Sequence, residues 1–555
     1  MLRSILVVFA ALVALAPNFA HAQGVELTRA DRLAILYTPQ LTFAPGGEPL
    51  IKIGLAEGID AIRFEADTAI DVLPLGPGGA RINIPAGHEL EVRLEDGQAG
   101  AYRYSVVLAE LPPSERDALG AERTRWEARG IEVAVVEVGS IFAIAGQRFD
   151  TRRTLLVTST TASRSEAQAS LDRLVADWGF DGRVHAELDS YPGGRLVLSG
   201  LPGGVTVEHR DLLQIRGTAD TVFTVHDVPY DVGTRHEGVE TRRYVGHLVF
   251  TANQDGGLTL VNETTLERIL YGVVPAEIYA SAPADALQAQ AVAARSELLT
   301  GLGVRHLADP YMTCSDQRCQ MYRGIDYEDA RTTAAVDATR GEVLTHGDEI
   351  IRAWFSANNG GFSASNAWTW GGEQLPYVAA RYDGVDEMAE WSDGLQTDEE
   401  VEAFLSSPPD AWSAITSFGS GRSFRWSETL DGDALSLAVA NRYPDVGPVT
   451  DIEILERAPS GRVARLRVEG VEGEAIVERE LNIRRTFGGL KSALFVVDIA
   501  RAADGIVSGV TFEGAGFGHG VGLCQSGAIG GAERGFGHDE ILARYYPGTT
   551  LRSLY

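Results

Sequence analysis

Residues Tyr271–Arg295 read YGVVPAEIYASAPADALQAQAVAAR. The stretch places one carboxylate, Glu277, in a Pro-containing turn just ahead of an Ala-rich helix. A residue that moves protons benefits from such a setting, because a rigid element holds it while a loop exposes it. Buried beside Val273, Val274 and Ile278, Glu277 would have a raised pKa and could serve as a general acid near neutrality. The other reading is an ordinary turn carrying a surface glutamate. Upstream, Gly257–Glu263 reads as a strand and a helix begins near Leu266. Downstream, Pro283 suits the first turn of a helix, with Leu287, Ala291, Ala294 and Leu298 on one face. Gln290 and Arg295 lie on or beside that seam, where buried polar groups must find partners.

The first residues bear on where the protein works. Leu2-Arg3 is a positive start, Ile5 to Ala16 is apolar, and Ala20-His21-Ala22 is a small-x-small pattern. This predicts a secretory signal peptide over 1–22, cut after Ala22. An uncleaved anchor needs about 20 apolar residues, and Pro17-Asn18 interrupts the run. The expectation is an exported protein, in the periplasm or cell envelope, with no transmembrane segment after cleavage.

The chain has 555 residues, 45% of them hydrophobic, enough for two to four domains. Its formal net charge of −29 argues against nucleic acid, since phosphate binding needs concentrated positive charge. An anionic substrate would need a local cationic patch, for which Arg295, Arg323 and Arg352 are candidates.

Organisation is read from patterning. Residues 23–100 are β-rich, with short runs from Ile51, Ile62 and Ala69 broken by Gly and Pro. Residues 101–182 give strands at Tyr104–Leu111, Ile131–Gly139, Ile141–Gly146 and Thr154–Thr160, and helices at Pro113–Ala128 and Arg164–Trp178. That order predicts a compact α+β module. With the phrase YSVVLAE at Tyr104–Glu110, it loosely resembles SPOR domains, which bind glycan strands stripped of peptide; the alternative is a module that packs against a catalytic domain. Residues 183–555 read as one domain with a β-rich lead-in. The fold class expected is α+β, β-rich and multidomain.

Three cysteines, Cys314, Cys319 and Cys524, are too few for a disulfide scaffold. In an oxidising compartment Cys314 and Cys319 form a small-loop disulfide or stay free thiols. The alternative is a zinc site in which they supply two of four ligands.

Four ordered blocks resemble the SpoIID/LytB family, exported factors acting on peptidoglycan. They are Leu258–Ile278 with Pro283–Leu299, then Asp309–Gly324 (DPYMTCSDQRCQMYRG), Ala353–Gly371 (AWFSANNGGFSASNAWTWG) and Gly516–Thr549, which opens GFGHGVGLCQSG. The resemblance implies a SpoIID-like catalytic domain and a lytic transglycosylase. Such an enzyme cuts the bond between N-acetylmuramic acid and N-acetylglucosamine and leaves 1,6-anhydro ends. Glu277 matches the family's catalytic glutamate. Gln290, Arg295, Gln320, Tyr322, His519 and Gln525 are candidate substrate contacts, and His519 could also orient Glu277. No cofactor is required on this reading. LytB-type members are described as amidase enhancers, so the alternative is a non-catalytic peptidoglycan-binding scaffold with a cell-wall amidase as partner. Some members carry a histidine where this chain has Arg318, which bears on zinc at Cys314 and Cys319. Residues 384–510 are expected to belong to the same domain.

Overall fold

Two apolar strands, Pro49–Ile59 and Leu258–Thr265, decide how the chain is assembled. They pair antiparallel, with Ile53 opposite Asn262 and Ala56 opposite Leu260. The structure, a computed structural model, describes residues 28–555 apart from 74–79, 145, 179, 181, 231–236, 317–318, 386–390, 392, 416 and 420. The expected signal peptide over 1–22 and Arg318 lie outside the described residues. No described helix is long and apolar enough to cross a membrane.

The 49–59 and 258–265 strands sit at the heart of one sheet with Leu212–Arg216, His247–Ala252 and Ile70–Val72. A six-stranded sheet packs against it, built from Ala61–Ala66, Leu90–Gln98, Gly193–Ser199, Val207–Arg210, Val222–Tyr230 and Gly238–Val245. Their inward residues, among them Ile53, Phe64, Leu196 and Phe250, share one core with the helices that follow. The expected separate region at 23–100 is therefore corrected. Its alternating strands leave one apolar face each, and residues 193–265 cover those faces.

The α+β module is an insertion between two paired strands, since Leu94 lies opposite Leu196 across its entry and exit. Its sheet runs in the order Arg183–Ser190, Ala101–Leu111, Arg153–Thr158, Val133–Val138, all antiparallel. Helices Arg116–Glu127 and Arg164–Trp178 bury Trp126, Leu171 and Leu174 against one face. The other face, with Val107, Leu155 and Val157, packs on Leu307. The module reaches Ser190, beyond the expected end at 182, because the 183–190 strand supplies its edge. A hairpin, Ile141–Ile144 with Gln147–Asp150, leaves the module and inserts Phe142, Ile144 and Phe149 into the main core.

Helix Leu266–Glu277 buries Leu266, Ile269, Leu270, Val273 and Val274, a stripe at helical spacing. Gly272 lets Tyr322 approach, for a Cβ there would stand 3.1 Å from the ring. Helix Ala284–Gly301 was expected to bury one face. It is buried on nearly all sides instead, enclosed by helices Leu266–Glu277, Ala330–Ala338, Gln525–Glu533 and His538–Tyr545 and the strand Glu342–His346. Only small residues allow so many neighbours that close.

Two charges are sealed inside this layer. The Arg295 guanidinium, with no solvent exposure, donates to Glu267 through Nε at 2.9 Å and Nη2 at 2.6 Å, and to the Glu342 carbonyl at 3.0 Å. Glu267 Oε1 also accepts from the Gly341 N–H and the Tyr555 hydroxyl.

Residues 426–512 hold a core of their own, around Leu435, Val449, Leu466, Val477, Phe487 and Phe512. Two three-stranded sheets form it. Within the 384–510 stretch, Trp391, Leu395, Phe404 and Leu494 instead pack with Phe362 and Ala515.

Replacing Glu267 by Ala leaves a buried, unpaired guanidinium and should cost about 3–5 kcal/mol in denaturant unfolding, whereas Glu267→Leu with Arg295→Met should recover most of that loss.

Candidate active site

Glu277 ends the Leu266–Glu277 helix; it does not sit in a turn, since Pro275 is accommodated inside the last helical turn. Ile278 is extended, at φ −130° and ψ 150°, and its side chain is buried. The chain then turns through Ala282 to Pro283, which caps the next helix. The carboxylate is thereby fixed between two packed helices.

Glu277 Oε1 accepts the Met321 N–H at 3.2 Å, the one polar partner it has among the described residues. Its side chain touches solvent but is densely surrounded by protein. Burial raises its pKa above the usual carboxylate range, and the Met321 N–H offsets part of that rise. Among the described residues no second carboxylate and no cation is paired with it. The site therefore holds one acid biased toward its protonated form. Asp285 accepts the His538 N–H, a structural contact.

The polar candidates divide. Gln320, next to Met321, is buried and donates to the Ala294 carbonyl at 3.1 Å. Gln525, first residue of the Gln525–Glu533 helix, donates to Gln290 Oε1 at 3.3 Å. Gln290 Nε2 and Gln320 Oε1 are left without partners among the described residues. The structure thus brings the helix-borne Gln290 to the Gln525 segment, more than two hundred residues away.

Arg295 and Tyr322 are corrected as substrate contacts. The donors of Arg295 are engaged by Glu267 and backbone carbonyls, with no solvent exposure. Tyr322 is buried, its hydroxyl bound to Asn262 at 3.2 Å and its ring 5.7 Å from Tyr244. Arg352 faces Glu110 of the α+β module at 3.6 Å, and Arg323 donates to Tyr327; neither joins Arg295 in a cationic patch.

His519 lies on the Gly516–Gly522 loop. Its Nδ1 accepts the Val521 N–H at 3.0 Å, and its ring is 4.9 Å from Trp370. Burial, with the positive charge of Arg462, pushes its pKa down to about 3, so it is neutral at pH 7. No hydrogen bond joins it to Glu277 among the described residues, so an orienting role through direct contact is not seen. Arg462 comes from the 426–512 unit and was not singled out from the sequence, where nothing distinguishes it from its arginine neighbours. It donates to the Asn359 and Phe362 carbonyls and lies so flat on Gly520 that a Cβ there would be 2.2 Å from Nη2. Cys524 caps the following helix, its sulfur accepting the Gly527 and Asn359 N–H groups.

Cys314 and Cys319 are joined as a disulfide, with Cα atoms 5.6 Å apart. His306 Nε2 is 3.2 Å from Cys319 Sγ, while its Nδ1 meets Asp309. The three side chains converge closely enough to hold a metal ion. Sulfurs bonded to each other have no thiolate to give, however, so disulfide and zinc are alternatives at this place. The sequence signal for His306 was its position just upstream of the cysteines.

Residues 254–346 match the family model described as Stage II sporulation protein. The chain is 29% identical over 297 residues to an amidase enhancer of Bacillus subtilis, covering 51% of this chain and 40% of that protein. It is 28% identical over 318 residues to the Stage II sporulation protein D of the same organism, covering 54% and 77%. Over these residues the chain is similar to the SpoIID/LytB family. It spans less than half the length of the amidase enhancer. The SpoIID segment holds Glu277, Gln290, Arg295, Gln320 and Tyr322. A second model, a domain of unknown function (DUF8618), matches 364–522 and takes in Arg462 and His519.

Because the folded protein holds the Glu277 proton more tightly than the unfolded chain, stability falls as pH rises through the folded pKa. Glu277→Gln should therefore melt above wild type at pH 7 to 8, the gap closing as pH falls below the ordinary glutamate range. Thiol titration of the unfolded, unreduced protein should return one thiol per chain, from Cys524, and three after reduction. Three thiols without reduction, accompanied by bound zinc, would replace the disulfide with a metal site.

Proposed function

We propose that the protein is an exported peptidoglycan lytic transglycosylase, working in the periplasm or cell envelope, with Glu277 as its acid and base. The observation that carries this reading is a carboxylate at the junction of two rigid helices, its pKa raised by burial and with no second carboxylate paired to it among the described residues. Glycosidases that use water or an enzyme nucleophile need two carboxyl groups. Lytic cleavage needs one, because the substrate supplies the nucleophile.

The steps balance with Glu277 alone. Its proton passes to the glycosidic oxygen as the bond from C1 of the muramic sugar breaks. The C6 hydroxyl of the same sugar then attacks C1, and its proton returns to Glu277. The product is a 1,6-anhydro end, and the carboxyl group is reset. The Met321 N–H steadies the transient carboxylate. Gln290 and Gln320 are buried, so they back the site and do not line it, with Gln525 bonded to Gln290 and Gln320 to the Ala294 carbonyl. His519 is neutral and hydrogen-bonded to the backbone of both Phe355 and Val521, so it shapes the Gly516–Gly522 loop. No cofactor enters these steps.

A second reading has one specific support, the name of the Bacillus subtilis relative. On it the chain binds glycan and stimulates a cell-wall amidase without cleaving anything itself. Mass spectrometry of peptide-free glycan strands separates the two. Wild type should release anhydro-muramyl products, and Glu277→Gln should lower the yield by at least about a thousandfold, in line with loss of a general acid together with its base role. Equal yields from both proteins would remove Glu277 from the chemistry. Amidase stimulation that survives Glu277→Gln, with no products from either protein, would favour the enhancer.

A further inference from the structure

Tyr279 stands out among the large side chains, being 59% exposed two residues beyond Glu277. Its ring stacks on that of Phe418, with centroids 5.4 Å apart and planes inclined by 22°. The two come from different parts of the chain. Tyr279 follows the acid on the SpoIID segment, and Phe418 lies in the region matched by the second family model. Phe418 has φ +57°, a left-handed conformation that a bulky side chain adopts only when its surroundings hold it there. The other side of Phe418 packs against the main core.

The backbone sets where Tyr279 points. Ile278 is extended and turned into the core, so its two neighbours project away from that core on the opposite side. Glu277 and Tyr279 thus share a side, with Cα atoms about 7 Å apart by strand geometry, roughly the reach of one sugar ring. An exposed tyrosine held flat by a second aromatic offers a rigid apolar face with a polar tip. The hydroxyl of Tyr279 has no hydrogen-bond partner among the described residues.

We infer that Tyr279, backed by Phe418, is a carbohydrate-stacking subsite that seats a pyranose ring next to the one attacked at Glu277. The C–H face of the sugar lies on the phenol ring, and the phenol hydroxyl reaches the rim of the sugar. The occupant is the uncharged N-acetylglucosamine ring that neighbours the attacked muramic sugar, in keeping with a platform made of two aromatic rings. Phe418 acts as a positioning residue, since it fixes the plane of Tyr279. This inference rests on the glycan-cleaving reading above.

The test measures binding apart from turnover. In a Glu277→Gln background, affinity for purified peptide-free glycan strands is measured by calorimetry. Tyr279→Ala should weaken binding about tenfold, the scale of one aromatic contact, while Tyr279→Trp should bind like the parent. Tyr279 is exposed, so the melting temperature should not move; Phe418→Ala should weaken binding less, because Tyr279 remains. Unchanged affinity in Tyr279→Ala would overturn the subsite and leave the acid assignment standing. A Glu277→Gln parent that binds no glycan at all would overturn the subsite together with the reading beneath it.

Discussion

The pairing of Arg295 with Glu267 is the constraint on which the rest of the site depends. Taking two charges out of water is costly, and only close, fully bonded geometry compensates. Here the guanidinium satisfies both carboxylate oxygens and a carbonyl, while Gly341 and Tyr555 complete the glutamate. The pair locks the helix that ends in Glu277 to the helix that carries Gln290. It also ties in the turn before the Glu342–His346 strand and the last residue of the chain. Exchange for apolar side chains would have been the simpler solution for stability. The charged version instead fixes register, because a slip of one turn would strand both charges.

A second buried cation performs a comparable task on the opposite side. Arg462 reaches out of the 426–512 unit and bonds carbonyls of the Asn359–Phe362 loop while pressing on Gly520. Three segments distant in sequence meet on one guanidinium. Its charge also helps to hold His519 neutral, so the histidine can donate a proton in a hydrogen bond but carries no charge of its own. The 426–512 unit is therefore coupled to the Gly516–Gly522 loop through Arg462, alongside the Trp426 indole bonded to the Gly516 carbonyl and the Gly518 N–H bonded to the Lys491 carbonyl.

Much of the site was legible in the sequence because its chemistry is local. Glu277 announces itself by Pro275 and by the alanine-rich run that follows, and the Cys314/Cys319 spacing invites a bond between the two. What escaped was long-range. Arg295 looks like a ligand for an anion until Glu267, one helix away, is seen to neutralise it. Tyr322 looks like a sugar contact until its ring is found beneath Tyr244. The helix at Ala284–Gly301 has so many small residues that periodicity showed one buried face where packing buries nearly all of them. The apparent N-terminal region failed for a different reason, since strand patterns reveal faces and not partners.

That last feature has a bearing on how the molecule is made. A chain is synthesised from its N-terminus, so the strand at Pro49–Ile59 exists well before Leu258–Thr265, which must lie beside it. In the interval its apolar residues have no lasting neighbour on that edge. The α+β module, whose own contacts are closer in sequence, can close first and hold the two flanking strands side by side. Loop closure over such a span is slow, and unpaired edges invite association with other chains. The module thereby clasps two strands of the six-stranded sheet and shortens the effective gap between Pro49–Ile59 and Leu258–Thr265, which pair in the neighbouring sheet.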